Sequence, residues 1–152
     1  MIDQTQSQPR VSIIMNCYNG EEFLSEAIDS IYCQTFQDWQ IIFFDNCSID
    51  LTSTIARKYD HKLKYYYSEK NLSLGEARNI ALDLVDTDYV SFLDCDDYYY
   101  PNKLQIQVDL MDRKNFIMSY GSAKIIDKKG KKIKNSLVQN KSGYIFPQLL
   151  NH

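Results

Sequence analysis

Residues 91–101 read SFLDCDDYYYP, and Asp94, Asp96 and Asp97 crowd three carboxylates into that short stretch. They follow the apolar run Tyr89-Val90-Ser91-Phe92-Leu93. Two like charges at contact near a protein surface repel by about 4 kcal/mol at an effective dielectric of about 20. Such a cluster either spreads into water on a loop or holds a cation. Closely spaced carboxylates suit Mg2+ or Mn2+, hard ions that keep water ligands and are completed by substrate phosphates. An ion held in this way neutralises charge on a leaving diphosphate, a Lewis-acid role. Arg78 adds a forked donor for phosphate or for a base edge. Other chemistries lack their residues. Neither G-x-G-x-x-G nor G-x-x-x-x-G-K-[ST] occurs, and His61 and His152, the two histidines, assemble no nucleophilic triad.

The elements that must carry these residues follow from hydrophobic period. Val11-Ser12-Ile13-Ile14-Met15 and Ile41-Ile42-Phe43-Phe44 are short, nearly continuous apolar runs, the pattern of strands covered on both faces. Residues 21–34 carry Phe23, Leu24, Ala27, Ile28, Ile31 and Tyr32 at helical spacing, so that this stripe and Trp39 are expected in the core. A short helix is predicted over Thr52–Tyr59 with Ser48 or Asp50 as its N-cap, and a tyrosine-rich strand over Leu63–Tyr67. Ser73-Leu74-Gly75-Glu76 has the capping-box form and opens a helix through Val85. Asp88–Leu93 is the fourth strand, and Pro101 starts a helix to about Lys114. A fifth strand over Ile117–Ile126 leads into a solvated hairpin turn at Lys128-Lys129-Gly130-Lys131. This alternation of strand and helix predicts a three-layer α/β/α sandwich around a mostly parallel sheet.

Ligands of such sheets bind at the carboxyl ends of the strands. Asn16-Cys17-Tyr18-Asn19-Gly20 follows the first strand, Asp45-Asn46-Cys47-Ser48-Ile49-Asp50 the second, and Asp94-Cys95-Asp96-Asp97 the fourth. The topology alone sends all three polar clusters to one rim.

Composition narrows the classes further. With 152 residues the chain makes one domain with a real core. A net charge of −3 favours neither nucleic acid nor an anionic membrane as partner. Cys17, Cys33, Cys47 and Cys95 never form C-x-x-C, which argues against a zinc site, and they are expected as core residues in a reducing cytoplasm. Cys95 reads as a small filler between two functional carboxylates. The start MIDQTQSQPR lacks the apolar region of an export signal, and no apolar run approaches the roughly eighteen residues of a membrane span.

Three stretches, VSIIMNCYNGEEFLSEAIDSIYCQTFQDWQIIFFDNCSID, EKNLSLGEARNIAL and TDYVSFLDCDDYYYPNKL, occur in the order and spacing of a known family. Over roughly residues 10–125 the chain resembles the N-terminal, nucleotide-sugar-binding portion of the family-2 glycosyltransferases, inverting enzymes of the GT-A fold. The resemblance implies that Asn16 and Tyr18 contact the nucleoside, that Asp45 and Asn46 read the base, and that Arg78 and Asn79 approach the nucleotide. It implies that Asp94 and Asp96 form the D-x-D motif. There Asp94 lies near ribose and metal, Asp96 ligates Mn2+ or Mg2+ on the diphosphate, and Asp97 orients its neighbours or faces the sugar. The partners implied are a nucleotide-diphospho-sugar donor and a glycan or lipid-linked acceptor. The setting is bacterial envelope polysaccharide synthesis in the cytoplasm, at the inner face of the membrane with peripheral association.

Two departures stand out. Asn46 replaces the aspartate that usually accepts the uracil imide proton, which opens the nucleobase question. Family members also continue past this length into an acceptor-binding region with an Asp or Glu base, so the base is expected beyond residue 152. Residues 1–9 are expected as a flexible segment and 10–152 as a donor-binding domain incomplete at its C-terminus. A non-catalytic nucleotide-sugar-binding module is the alternative, and a nucleotidyltransferase is a third, lacking its glycine-rich basic loop. Among the aromatics, Tyr98, Tyr99 and Tyr100 read as rim packing or a sugar platform, and Tyr18 as base-stacking or core.

Overall fold

A computed structural model describes residues 8–127 and 131–136. The expectations for residues 1–7, for Lys128-Lys129-Gly130 and for 137–152 lie outside the described residues. The chain divides into two units, Met1–Val108 and Asp109–His152.

In the first unit the apolar runs form parallel strands β1 (Val11–Cys17), β2 (Trp39–Asp45), β3 (Leu63–Tyr67) and β4 (Tyr89–Phe92), ordered β3-β2-β1-β4. Register pairs Ile13 with Ile41, Ile14 with Phe92, and Phe43 with Tyr65. The two central strands are buried on both faces, hence their lack of polar alternation. Ile13, Met15, Cys17, Ile41 and Phe43 point to one side. There they meet Leu24, Ala27, Ile28 and Ile31 of α1 (Leu24–Tyr32), Ala56 of α2 (Thr52–Ala56), and Leu104 and Val108 of α4 (Lys103–Lys114). Ile14, Ile42 and Phe44 point to the other side, against Ala77 and Ala81 of α3 (Leu74–Asp83). Each large side chain buried this way contributes about 1.5–3 kcal/mol. The three-layer arrangement is therefore the one the pattern predicts, with Trp39 in the core and Phe23 only half-buried.

Differences are local. β1 and β2 are longer than their apolar runs because Asn16 and Asp45 stay within the ladder. The α2 helix stops at Ala56, and Leu51 is its N-cap without a side-chain bond. Asp50 still accepts from the Thr52 amide (3.0 Å), so one of the two anticipated caps works from one position further out. Of the cysteines only Cys17 is buried. Cys33 is exposed and Cys47 and Cys95 are intermediate, because three of the four stand after, not within, the buried elements. In the second unit, β5 (Ala123–Ile126) and β6 (Lys132–Ser136) form an antiparallel pair, so the fifth strand is shorter than Ile117–Ile126. Among the described residues no helix is long and apolar enough to cross a membrane.

Candidate functional site

The chain runs from β1 outward to β2 and β3, then returns to place β4 on the other side of β1. The topological switch point thus lies between β1 and β4, where open α/β sheets bind ligands. Asn16 and Cys17 end one wall of that crevice, and Asp94 and Cys95 open the other, the Leu93 amide still donating to the Ile14 carbonyl (3.1 Å).

Asn16 follows Ile14 on the α3 side of the sheet. Both its amide oxygen and nitrogen are buried without a hydrogen-bond partner among the described residues. Leaving such groups unpaired costs about 1–3 kcal/mol each, so a buried orphan amide at a switch point needs an explanation. Arg78 of α3 donates to Asp94 Oδ1 at 2.8 Å. The helix start that carries Arg78 is well fixed. Ser73 caps it by accepting from the Glu76 amide (3.3 Å), and Glu76 Oε2 accepts from the Ser73 amide (3.0 Å). The Ser73 hydroxyl also donates to Glu76 Oε2 (2.7 Å), and that bond, with the one from the Ser73 amide, holds the Glu76 carboxyl below its usual range.

Asp94, Asp96 and Asp97 are all exposed on the loop after β4. Partial burial, then the charges of Asp96 and Asp94, push the Asp97 carboxyl above its usual range. Among the described residues neither Asp96 nor Asp97 has a Lys or Arg ion pair, so one guanidinium faces three carboxylates. The residues fit a hard divalent cation on these grounds. They also fit only an ion completed from outside, since no group of three or more potential ligands clusters among the described residues.

Loop contacts weld the rim together. Asn19, at φ 51° in the left-handed region that asparagine tolerates, donates its amide to Ser48 Oγ (3.0 Å), and its side chain accepts from the Ile49 amide (3.0 Å). The Gly20 amide donates to Thr52 Oγ1 (2.9 Å), the Glu21 amide to Asp50 Oδ2 (3.0 Å), and the Leu51 amide to Glu21 Oε2 (2.9 Å). Tyr18 is 49% exposed at this rim, which rules out the core reading for it. Tyr98 and Tyr100 are exposed, whereas Tyr99 packs inward: its hydroxyl meets Ser91 Oγ (2.7 Å) and the Lys103 ammonium lies 3.6 Å from its ring centre.

Asp45 and Asn46 are placed differently from simple base readers. Asp45 is fully buried, and its oxygens accept from the Tyr65 hydroxyl (2.5 Å) and the Ser48 amide (2.9 Å). Strand alternation puts it on the same face as Phe43, which is why it sinks. Asn46 spends its amide on the segment before α3, donating to Asn71 Oδ1 and the Leu72 carbonyl and accepting from the Leu72 amide, each at 2.9 Å. Asn79 is exposed on α3 beside Arg78. The structure therefore gathers Asn16, Arg78 and Asp94 at the crevice, with Asp96 and Asp97 on the loop that continues from Asp94. Asp45 and Asn46 support the rim from beneath. The loop bracing through Asn19, Glu21, Ser48 and Asp50, and the network of Ser91, Tyr99 and Lys103, escaped sequence reasoning. Only the polar-rich composition of these loops hinted at them.

The family model for glycosyl transferase family 2 matches residues 12–150. An uncharacterized glycosyltransferase of Rickettsia felis is 34% identical over 152 residues, 99% of this chain and 25% of that protein. The Escherichia coli enzyme WfgD, a UDP-Glc:alpha-D-GlcNAc-diphosphoundecaprenol beta-1,3-glucosyltransferase, is 35% identical over 77% of this chain and 47% of its own length. Among solved structures, S. aureus TarS 1-349 in complex with UDP-GlcNAc superposes with a TM-score of 0.67 at 32% identity, covering 70% of this chain and 32% of that one. The mannosyltransferase PcManGT from Pyrobaculum calidifontis, in complex with GDP-Man and Mn2+, shares the fold at 20% identity (TM-score 0.64; 82% of this chain, 37% of that one). The chain thus spans between a quarter and a half of the curated relatives named here. With the switch-point crevice, the ordered motifs and a family match running from the first strand to residue 150, the chain belongs to glycosyl transferase family 2.

Proposed function

We propose that this chain supplies the donor site of a glycosyltransferase that binds a nucleotide-diphospho-sugar through Mn2+ or Mg2+. The observation that carries the reading is the pairing at the β1/β4 crevice. A buried orphan amide (Asn16) lies there beside an acidic loop whose charge a single guanidinium offsets. Asn16, Tyr18, Arg78 and Asn79 would bind the nucleotide, with Asp45 and Asn46 shaping the floor at its base. Asp96 and Asp94 would hold the cation, and Asp97 would face the sugar. The bound ion supplies charge neutralisation of the diphosphate. Arg78, freed in part from Asp94 once a cation compensates that carboxylate, can turn its fork to a phosphate oxygen.

The reaction proposed is inverting transfer. An acceptor hydroxyl oxygen attacks the anomeric carbon as its bond to the diphosphate breaks, and a base takes the hydroxyl proton. We assign that base to the region of the longer relatives that this chain does not span. The acceptor class in this proposal, a lipid-linked glycan, is taken from the GlcNAc-diphosphoundecaprenol acceptor in the name of WfgD, and the setting proposed with it is cell-envelope polysaccharide or glycoconjugate synthesis at the cytoplasmic face of the membrane. Binding of UDP and of GDP by calorimetry tests the site. Heat should appear with Mn2+ or Mg2+, vanish with EDTA, and vanish in Asp96→Ala. Equal binding in the presence of EDTA would overturn the metal assignment.

A further inference from the structure

We propose that Cys17 and Cys95 are a peroxide-sensitive dithiol pair whose disulfide displaces the acidic loop and weakens donor binding; the effect on binding rests on the function proposed above. Cys95 lies between Asp94 and Asp96, and Cys17 ends β1 on the opposite wall of the crevice. Gly20 marks how closely the sulfurs share one space. A Cβ at Gly20 would fall 2.4 Å from Cys17 Sγ and 3.2 Å from Cys95 Sγ, so only the missing side chain leaves room for both. Cys17 is 2% exposed, whereas Cys95 is reachable from solvent, which sorts the pair into an inner resolving thiol and an outer attacked one. Cys33 and Cys47 stand elsewhere, on the turn after α1 and the loop after β2.

The chemistry is balanced with hydrogen peroxide as oxidant. The Cys95 sulfur attacks one peroxide oxygen, the O–O bond breaks, water leaves, and a sulfenic acid remains. The Cys17 sulfur then attacks the Cys95 sulfur, the S–O bond breaks, and a second water leaves. Two thiols lose two electrons and two protons, and the peroxide is reduced to water. Bonding the sulfurs draws the Cys95 backbone toward β1. Asp94 and Asp96 flank that backbone and move with it, away from the positions set by Arg78 and the β4 ladder. Misplacement by about an ångström at a binding constellation is enough for large losses.

The decisive material is the Cys33→Ser/Cys47→Ser chain, in which no other thiol competes. After peroxide treatment, non-reducing peptide mapping should show the peptides of Cys17 and Cys95 linked, with both free thiols lost and dithiothreitol restoring them. UDP affinity in the presence of Mn2+ should fall on the order of tenfold on oxidation and recover on reduction. Cys95→Ser should keep UDP binding and lose its peroxide response. Two thiols still titratable after peroxide, or Cys95 carried to sulfinic acid unlinked, would overturn the pairing. A link that leaves UDP affinity unchanged would overturn the displacement. Failure of the reduced protein to bind UDP at all would instead count against the donor site, while the mapping still decides the thiol chemistry.

Discussion

Asn46→Asp restores the residue commoner in the family, and the structure says it should do harm. The asparagine amide is only 7% exposed and forms a two-way clamp on Leu72, accepting from its N–H and donating to its C=O, with a further donation to Asn71 Oδ1. A carboxylate keeps the first bond and loses the other two, worth about 1 kcal/mol each. It also leaves the Leu72 carbonyl facing an oxygen, an uncompensated buried acceptor costing about 1–3 kcal/mol. The total is about 3–5 kcal/mol, a large share of the roughly 5–15 kcal/mol that holds a domain together. Urea unfolding at pH 7 measures it. Asn46→Ala, which removes the clamp without adding charge, keeps the comparison readable if the aspartate variant does not fold. The new carboxyl would be raised in the folded state, so the native form would bind the extra proton. The defect should therefore deepen as pH rises above about 4 and shrink below it, where a protonated carboxyl can donate again. An Asn46→Asp chain within about 0.5 kcal/mol of wild type at pH 7 would refute the clamp.

Two further outcomes follow from groups described above. Burial pushes the Lys103 ammonium from 10.5 down to about 8. The unfolded chain therefore binds more protons between those values, and stability should rise as pH climbs from about 8. Lys103→Met should flatten that rise in thermal melts from pH 7 to 9.5, kept below the range where tyrosines ionise. Gly20→Ala puts a methyl 2.4 Å from Cys17 Sγ and should cost about 1–3 kcal/mol in urea unfolding, whereas Gly75→Ala, with nothing within 4 Å of its Cβ, should cost nothing comparable.

The sheet and its cover were legible because β1 and β2 are apolar at nearly every position, and only double burial needs that. The acidic loop was legible because no strand interior tolerates Asp94-Cys95-Asp96-Asp97. Asp45 and Asn46 were harder. Counting alternation from Phe43 already puts Asp45 on the core face, but its partner Tyr65 lies on another strand and no local spacing points to it. The clamp of Asn46 on Leu72 was equally hidden, because that partner lies more than twenty residues later. The cysteines were misread for a related reason. Residue type predicts burial on average, whereas position relative to strand ends decides which thiols are buried.

The bracing between residues 19–21 and 48–52 bears on how this rim can be altered. Each loop satisfies backbone amides of the other through side chains: Ser48, Asp50 and Thr52 serve 19–21, and Asn19 and Glu21 serve 49 and 51. Neither segment is self-sufficient, so a transplant of one from a relative would orphan donors in the segment left behind. For anyone recombining donor sites among relatives, the two loops form a single heritable cassette, and chimeras should be cut so that they travel together.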